Sequence, residues 1–413
     1  MTDLALRLLH DGYGAIERDR AARGATGTYA TRLLGRRTVV LTGASGARLF
    51  YDEDVMRRTG AIPPPLAWLL FGRGAVHALD GPDHRERKQL FLDAVDDPGA
   101  ARVADVAADN LRAELAGAGS RPVAVHPMLV RSYGDAVLRW AGVDVDRAAA
   151  DTLSARYAAI VDGFGFAGRA YLRAWRERRR TDAWASSLVT AVRTGRVTPR
   201  PGTPLAAVAA TDLPPRVAAV ELGNMIRPTI AVSWLGTFAV AALATATTAE
   251  QRRRLARSHD ARTPGGDADA ALLWSFAEEV RRTSPFVPAL AARAVREVQH
   301  GGVRIREGDQ VVLDVPGIDH DPDVYAEPQA FVADRFTSWH PGPFALVPQG
   351  GGYPTGHRCP GESITLRLVA ATTQVLAEVD HRVVGPRAAD LRRIPTLPAG
   401  GLVIEVGRRL TSA

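Results

Sequence analysis

Apolar positions along most of this chain recur every three to four residues, the spacing of helices that bury one face. A helical segment opens the sequence, and a helix starts near His84 after the turn DGPD. Long alanine-rich helical patterns fill 98–194, interrupted by the aromatic, glycine-rich DGFGFAG at 162–168. Further helices are predicted around 216–245 and 270–282, and another from Gly361 with Ile364, Leu366, Leu368 and Val369 on its apolar face. Strand-like runs are short. The segment 37–52 reads as a hairpin, TVVLT then a GASG turn then a second apolar run. In 295–315, strand runs are separated by His300-Gly301-Gly302 and Glu307-Gly308-Asp309 turns. The Pro-rich stretch 198–215 reads as a loop. The pattern predicts a mainly α protein with a minor β region, and no linker or repeat divides residues 1–413, so a single domain is expected.

One stretch, 229–248, is uncharged and long enough to cross a bilayer. Its Thr, Ala and Gly content and mid-chain position favour a helix buried in the protein, so no membrane span is expected. The N-terminal segment carries charges throughout and does not read as a signal peptide. A single cysteine excludes an internal disulfide and fits a reducing cytoplasm. The net charge of +7 raises the question of nucleic acid. The basic runs at 176–180 and 252–254 lack interleaved aromatics and read as solvated helix faces, so no nucleic-acid partner is expected. Nearly all the positive charge is arginine, and lysine occurs once, at Lys88.

Candidate chemistry concentrates in 344–369, FALVPQGGGYPTGHRCPGESITLRLV. The only cysteine, Cys359, lies in a Gly/Pro-rich loop leading straight into a helix. Free N–H groups and the helix dipole favour a thiolate there. His357 and Arg358 add positive charge, and Gly361 lets a flat ligand approach. Elsewhere, Glu279 and Arg282 share a helix face in EEVRR. His84 and Lys88, four apart, also share one, and can clamp an anion. In ELGNMIRPTIAVSW (221–234) an arginine and a proline, Arg227 and Pro228, interrupt an apolar helix. A buried arginine there needs an anion, and a bidentate grip on a carboxylate supplies one.

The thiol loop resembles the haem-ligand loop of the cytochromes P-450. Glu279, Arg282 and the later Arg335 match a buried Glu–Arg–Arg triad of that family. The resemblance implies its fold and haem b, with Cys359 as iron ligand and His84, Lys88, His357 and Arg58 toward the propionates; the family usually carries arginine where this chain has Lys88. Members commonly have an acid–alcohol pair on the helix over the haem. Here Arg227-Pro228 replaces it, ahead of Thr229. That feature, with VDGFGFAG, FGRGAVHALDG and PQGGG in the same order, is similar to the bacterial fatty-acid peroxygenase clan, including its alkene-forming decarboxylases. The resemblance implies oxidation of fatty acids by hydrogen peroxide near the carboxylate, giving hydroxylation, terminal alkenes or both, with no redox partner required. Arg227, Pro228 and His77 are the implied catalytic residues, histidine at position 77 being associated with decarboxylation. Arg227, Phe71, Phe164, Phe166, Phe286 and Leu290 are the pocket candidates. Two other functions fit a haem site: an O₂-dependent monooxygenase needing redox partners, with Thr229 relaying protons, and a non-enzymatic haem-binding sensor.

Overall fold

Residues 2–119, 121–165, 168–258 and 267–407 are described by a computed structural model, predominantly helical with small sheets. Helices α1 (Leu4–Asp11), α2 (Ala15–Ala22), α3 (Gly43–Phe50), α4 (Pro64–Leu70) and α5 (Gly81–Ala94) belong to the first quarter of the chain. The helical middle comprises α6 (Asp97–Ala118), α7 (Val125–Trp140), α8 (Arg147–Asp162), α9 (Gly168–Arg193), α10 (Pro204–Ala209) and α11 (Pro215–Thr245). Then follow α12 (Ala249–Arg257), α13 (Ala268–Thr283), α14 (Val315–Asp319) and α15 (Glu362–Glu378). A five-stranded sheet joins β1 (Tyr29–Leu33), β2 (Arg36–Leu41), β3 (Met56–Arg57) and two later strands. The other strands are β4 (Val123–Ala124), β5 (Ala289–Ala294), β6 (Val298–His300), β7 (Val303–Ile305), β8 (Gln310–Asp314), β9 (His381–Val384) and β10 (Val403–Val406). The large sheet runs β1-β2-β8-β5-β3, with only β2 and β8 parallel. Strands β6 and β7 pair across the expected His300-Gly301-Gly302 turn.

The hairpin expected at 37–52 is not formed. Strand β2 instead pairs backward with β1 across Leu34-Gly35, both at positive φ, and GASG becomes the first turn of α3. Gly43 turns the chain at φ +66°, after which Gly46, Ala47 and Phe50 are buried at helical spacing. A Cβ on Gly46 would press within 3.2 Å of Leu41, so the small residue lets α3 pack on the end of β2. The loop expected at 198–215 contains α10, capped by Thr203, whose hydroxyl accepts from the Ala206 N–H, with Pro204 at the first turn.

Helix α11 spans 31 residues and is the one helix among those described that is long and apolar enough to cross a membrane. It is instead packed among α7, α9 and α15, its face from Ala218 to Gly236 almost continuously buried. Pro228 sits inside it. Proline has no N–H to give the Asn224 carbonyl four residues back, so one rung of the helix ladder is lost beside the cavity described below.

His126, on α7, contacts α11 through the Ser233 hydroxyl (Nε2···Oγ 3.2 Å) and its ring meets Trp234 edge-on at 4.3 Å. Burial holds its pKa down at about 4, with Asp162 and Arg393 nearby pulling in opposite directions. An unfolded histidine takes its proton near pH 6.5. Between about pH 6.5 and 4 the unfolded chain therefore binds more protons, and stability falls as the pH drops. The denaturant midpoint of His126→Gln is expected to fall less than that of wild type between pH 7 and 5; equal slopes would exclude this role.

Candidate active site

A cavity of about 1160 Å³ is lined by residues of α11, α5 and the loop preceding α15. It exceeds the ~300–1,000 Å³ usual for one small ligand, leaving room for a flat cofactor and an extended apolar chain. Cys359 lines it, and α11 contributes Arg227, Pro228 and Thr229 to the same lining. Phe71, His77, Phe164, Phe286 and Leu290 contribute to the same lining, as do His84, Lys88 and His357. Arg58 does not reach it. Its guanidinium lies over the Phe50 and Tyr51 rings, at 4.1 and 5.2 Å, and donates to the Phe50 carbonyl. From there it still lowers the pKa of His84 and His357 through its charge. Phe166 lies outside the described residues.

Arg227 is 4% exposed, so it does not snorkel to solvent. Its Nη2 donates to Asn224 Oδ1 at 3.0 Å, while Nη1 is buried with no partner. Burial, then repulsion from Arg178, pushes its pKa down to about 9, which leaves the group charged at neutral pH. Asp182 and Tyr157 offset this weakly, but Asp182 is hydrogen-bonded to Arg178 at 3.0 Å. A buried guanidinium with one edge unpaired is costly unless an anion meets it.

The other edge is held by a relay that the sequence reading did not pick out. Asn224 donates through Nδ2 to Glu221 (3.1 Å), which also accepts from Arg87 (2.8 Å) and the Val76 N–H (2.9 Å). Residues 221, 224 and 227 are successive positions at three-residue spacing on one helix face, and that spacing was the available signal. The Thr229 hydroxyl donates to the Met225 carbonyl at 3.1 Å. His77 is open to the cavity but deep within the protein; its ring stacks on Phe71 with centroids 4.2 Å apart. Burial, then the charge of Arg227, lowers its pKa to about 3, so it is a neutral imidazole.

Helix α5 brings His84 and Lys88 to the cavity lining, 3% and 4% exposed. The His84 and His357 rings stack at 3.9 Å, and His84 Nδ1 has no hydrogen-bond partner. Lys88 donates to the Arg358 carbonyl. Burial lowers the pKa of Lys88 to about 8 and of His84 to about 4, the latter also through Lys88 itself. These donors crowd one end of the cavity, where the nearest acid, Asp80, stands 3.7 Å from His357 Nε2.

The thiol loop is held from behind by two ionic networks. Glu279, fully buried, accepts two bonds from Arg282 (2.7 Å each), Arg335 Nε (3.0 Å) and the Val332 N–H (2.9 Å). A second network is formed by Arg281, Glu278, Glu362 and Arg358, with Arg281 and Arg358 both donating to Glu362. The Arg358 side chain also donates through Nη1 to the Gly352 carbonyl at 3.1 Å. In the loop itself Gly350 adopts φ +93°, and a Cβ there would lie 2.8 Å from the Tyr51 hydroxyl. Arg178, expected on a solvated face, is 3% exposed; it pairs with Asp182 and donates to the Phe71 carbonyl.

A thiol in the lining of a large cavity, a buried Glu–Arg–Arg network and a long helix contributing to the same cavity define the haem-thiolate class of protein. The family model described as Cytochrome P450 matches residues 269–379. The chain belongs to the cytochrome P450 family. A solved structure of cytochrome P450SP alpha (CYP152B1) in complex with (R)-ibuprophen is 34% identical, with a TM-score of 0.90, over 98% of this chain and 99% of that one. Ligand-free cytochrome P450 OleT is 30% identical, with a TM-score of 0.91, over 99% and 98%. Cytochrome P450 137 of Mycobacterium tuberculosis is 32% identical over 98 residues, a stretch that spans 20% of that protein's length.

Haem comes with the family, and the residues present fit it. Cys359 supplies a sulfur donor whose own N–H is anchored on the Gln349 carbonyl at 3.0 Å. Burial raises its pKa, and the Gly361 N–H and Lys88 offset this only in part. The orphaned His84 Nδ1, with Lys88 and His357, offers the donors that two propionates require.

Proposed function

We propose that the protein oxidises fatty acids next to their carboxylate with hydrogen peroxide as oxidant. The observation that carries this reading is the buried, unpaired Nη1 of Arg227 in the lining of the cavity that Cys359 also lines. The substrate carboxylate docks on that edge by charge-assisted hydrogen bonds, and its apolar tail fills the space near Phe71, Phe164, Phe286 and Leu290. Haem bound through Cys359 supplies the oxidising chemistry. Arg227 holds the carboxylate beside the peroxide, where its oxygen atoms accept and return the proton. This substitutes for the acid missing from α11 ahead of Thr229, whose hydroxyl is engaged with the backbone. Anchoring C1 on Arg227 fixes the adjacent carbons in the cavity that Cys359 lines, where bound haem would supply the oxidant, so oxidation falls close to the carboxylate. Pro228 shapes the wall by removing a backbone donor. Neutral His77 contributes a hydrogen-bonding edge that influences whether hydroxylation or loss of CO₂ to a terminal alkene follows. The neighbours' ligands support the reading: (R)-ibuprophen with P450SP alpha and arachidonic acid with an OleT variant are both carboxylic acids. We place the protein in the cytoplasm and assign it no redox partner.

Incubation of the haem-loaded protein with saturated fatty acids of several lengths and peroxide, without reductase, tests this. Mass spectrometry is expected to find α- or β-hydroxy acids, terminal alkenes one carbon shorter, or both. Turnover only with a reductase and O₂, or ligand binding without product, would overturn it.

A further inference from the structure

We propose that Gln349 tunes the iron-binding sulfur through a side-chain hydrogen bond to Cys359. This goes beyond the peroxide reading and rests only on haem ligation by that cysteine. Gln349 opens the glycine-rich loop, and its carbonyl already accepts the Cys359 N–H at 3.0 Å. Its side chain folds back under the same residue. Nε2 lies 2.9 Å from Thr365 Oγ1 and 3.8 Å from Cys359 Sγ.

Thr365 decides which way round the amide sits. Its hydroxyl proton is given to the Gly361 carbonyl one turn back on α15, at 3.0 Å. The oxygen is therefore left as an acceptor, and it takes an N–H from Gln349. A primary amide nitrogen carries two N–H groups. One is used on Thr365, and the second remains for sulfur. The flipped amide would aim a carbonyl oxygen at both the thiolate and the threonine oxygen, acceptor against acceptor. The orientation is kept even though Gln349 Oε1 is buried without a partner.

An N–H directed at a ligand sulfur draws electron density from it. Hydrogen bonds of this kind raise the reduction potential of thiolate-bound iron and moderate the electron donation that favours O–O cleavage. Gln349 thereby shifts more of the burden of O–O cleavage onto the acid–base group above the haem.

The test is the ferric/ferrous midpoint potential and the C–O stretch of the ferrous–CO form, both read on haem-loaded protein. For Gln349→Leu the reduction equilibrium is expected to become about tenfold less favourable, a shift of about 59 mV for one electron. The C–O stretch is expected to fall as the sulfur donates more. Thr365→Val removes the acceptor that orients the amide and should move both readouts the same way by less; it decides the matter if Gln349→Leu does not retain haem. Unchanged potential and stretch in the haem-bound fraction, even with lowered stability, would reduce Gln349 to a structural role and overturn the proposal. Because neither readout uses peroxide or a fatty acid, they can fail while the product analysis succeeds, and the reverse.

Discussion

Arg227→Ala is expected to abolish most peroxide-driven fatty-acid oxidation while leaving the ferrous–CO band in place. Truncating one partner of a buried, hydrogen-bonded charge pair costs roughly 2–5 kcal/mol. At about 1.4 kcal/mol per tenfold, that is a loss of roughly thirty- to several-thousand-fold in kcat/KM. The loss should appear in kcat as well as KM, because the misplaced carboxylate no longer handles the peroxide proton. Arg227→Lys keeps a charge but not the planar fork, and should retain only part of the activity. Arg227 is not among the residues that fit the haem, which are Cys359 and the donors of α5 and His357, so the spectrum should survive both changes. Product yield and the CO difference spectrum, measured on the same preparations, check this. Wild-type turnover in the alanine variant would remove the carboxylate role.

Glu279→Ala is expected to have the largest effect on folding. The carboxylate is fully buried and takes bonds from two arginines and a backbone N–H. Removing it strands those two guanidiniums. Breaking a buried pair in this way costs about 3–5 kcal/mol, a large share of the roughly 5–15 kcal/mol that holds a domain folded. Arg282 keeps its bonds to the Asp319, Pro328 and Ala330 carbonyls, so the network is weakened rather than emptied. Glu279→Gln, which keeps an acceptor oxygen but loses the charge, should be less damaging. As a control, Glu250→Ala removes an exposed partner of Arg253 and should scarcely move the denaturant midpoint. If Glu279→Ala unfolds at the wild-type midpoint, the network does not carry the stability assigned to it.

The elements most legible in the residues were those with a local cause. Helices α11, α13 and α15 lie where the pattern predicts them, and α5, expected from near His84 after the DGPD turn, begins at Gly81 within it. The cysteine loop announces itself because glycine and proline exclude regular structure. The failures also had local causes. In 37–52 a glycine-rich stretch served equally as a hairpin turn or as a helix start, and only the partner of β2 separated the two. In RERRR, charge suggested solvent, yet Arg178 is enclosed because Asp182 and the Phe71 carbonyl lie against it. The ion network from Glu278 to Arg358 joins segments about eighty residues apart, and nothing in either segment names the other.

Sequence spacing put Glu279 beside Arg282 on one helix face and set an arginine and a proline inside an apolar helix; the resemblance to the cytochromes P-450 added that the lone thiol is the iron ligand and that an acid is usual before Thr229. The spacing inferences need only the chemistry of residue types and the period of a helix. Packing decided the rest. It brought Arg227 and Cys359 to one cavity, gave one edge of the guanidinium to Asn224 and left the other bare, and turned the Gln349 amide toward sulfur. Each of these depends on which distant surface covers a given face, and a helical repeat reports the face without its cover.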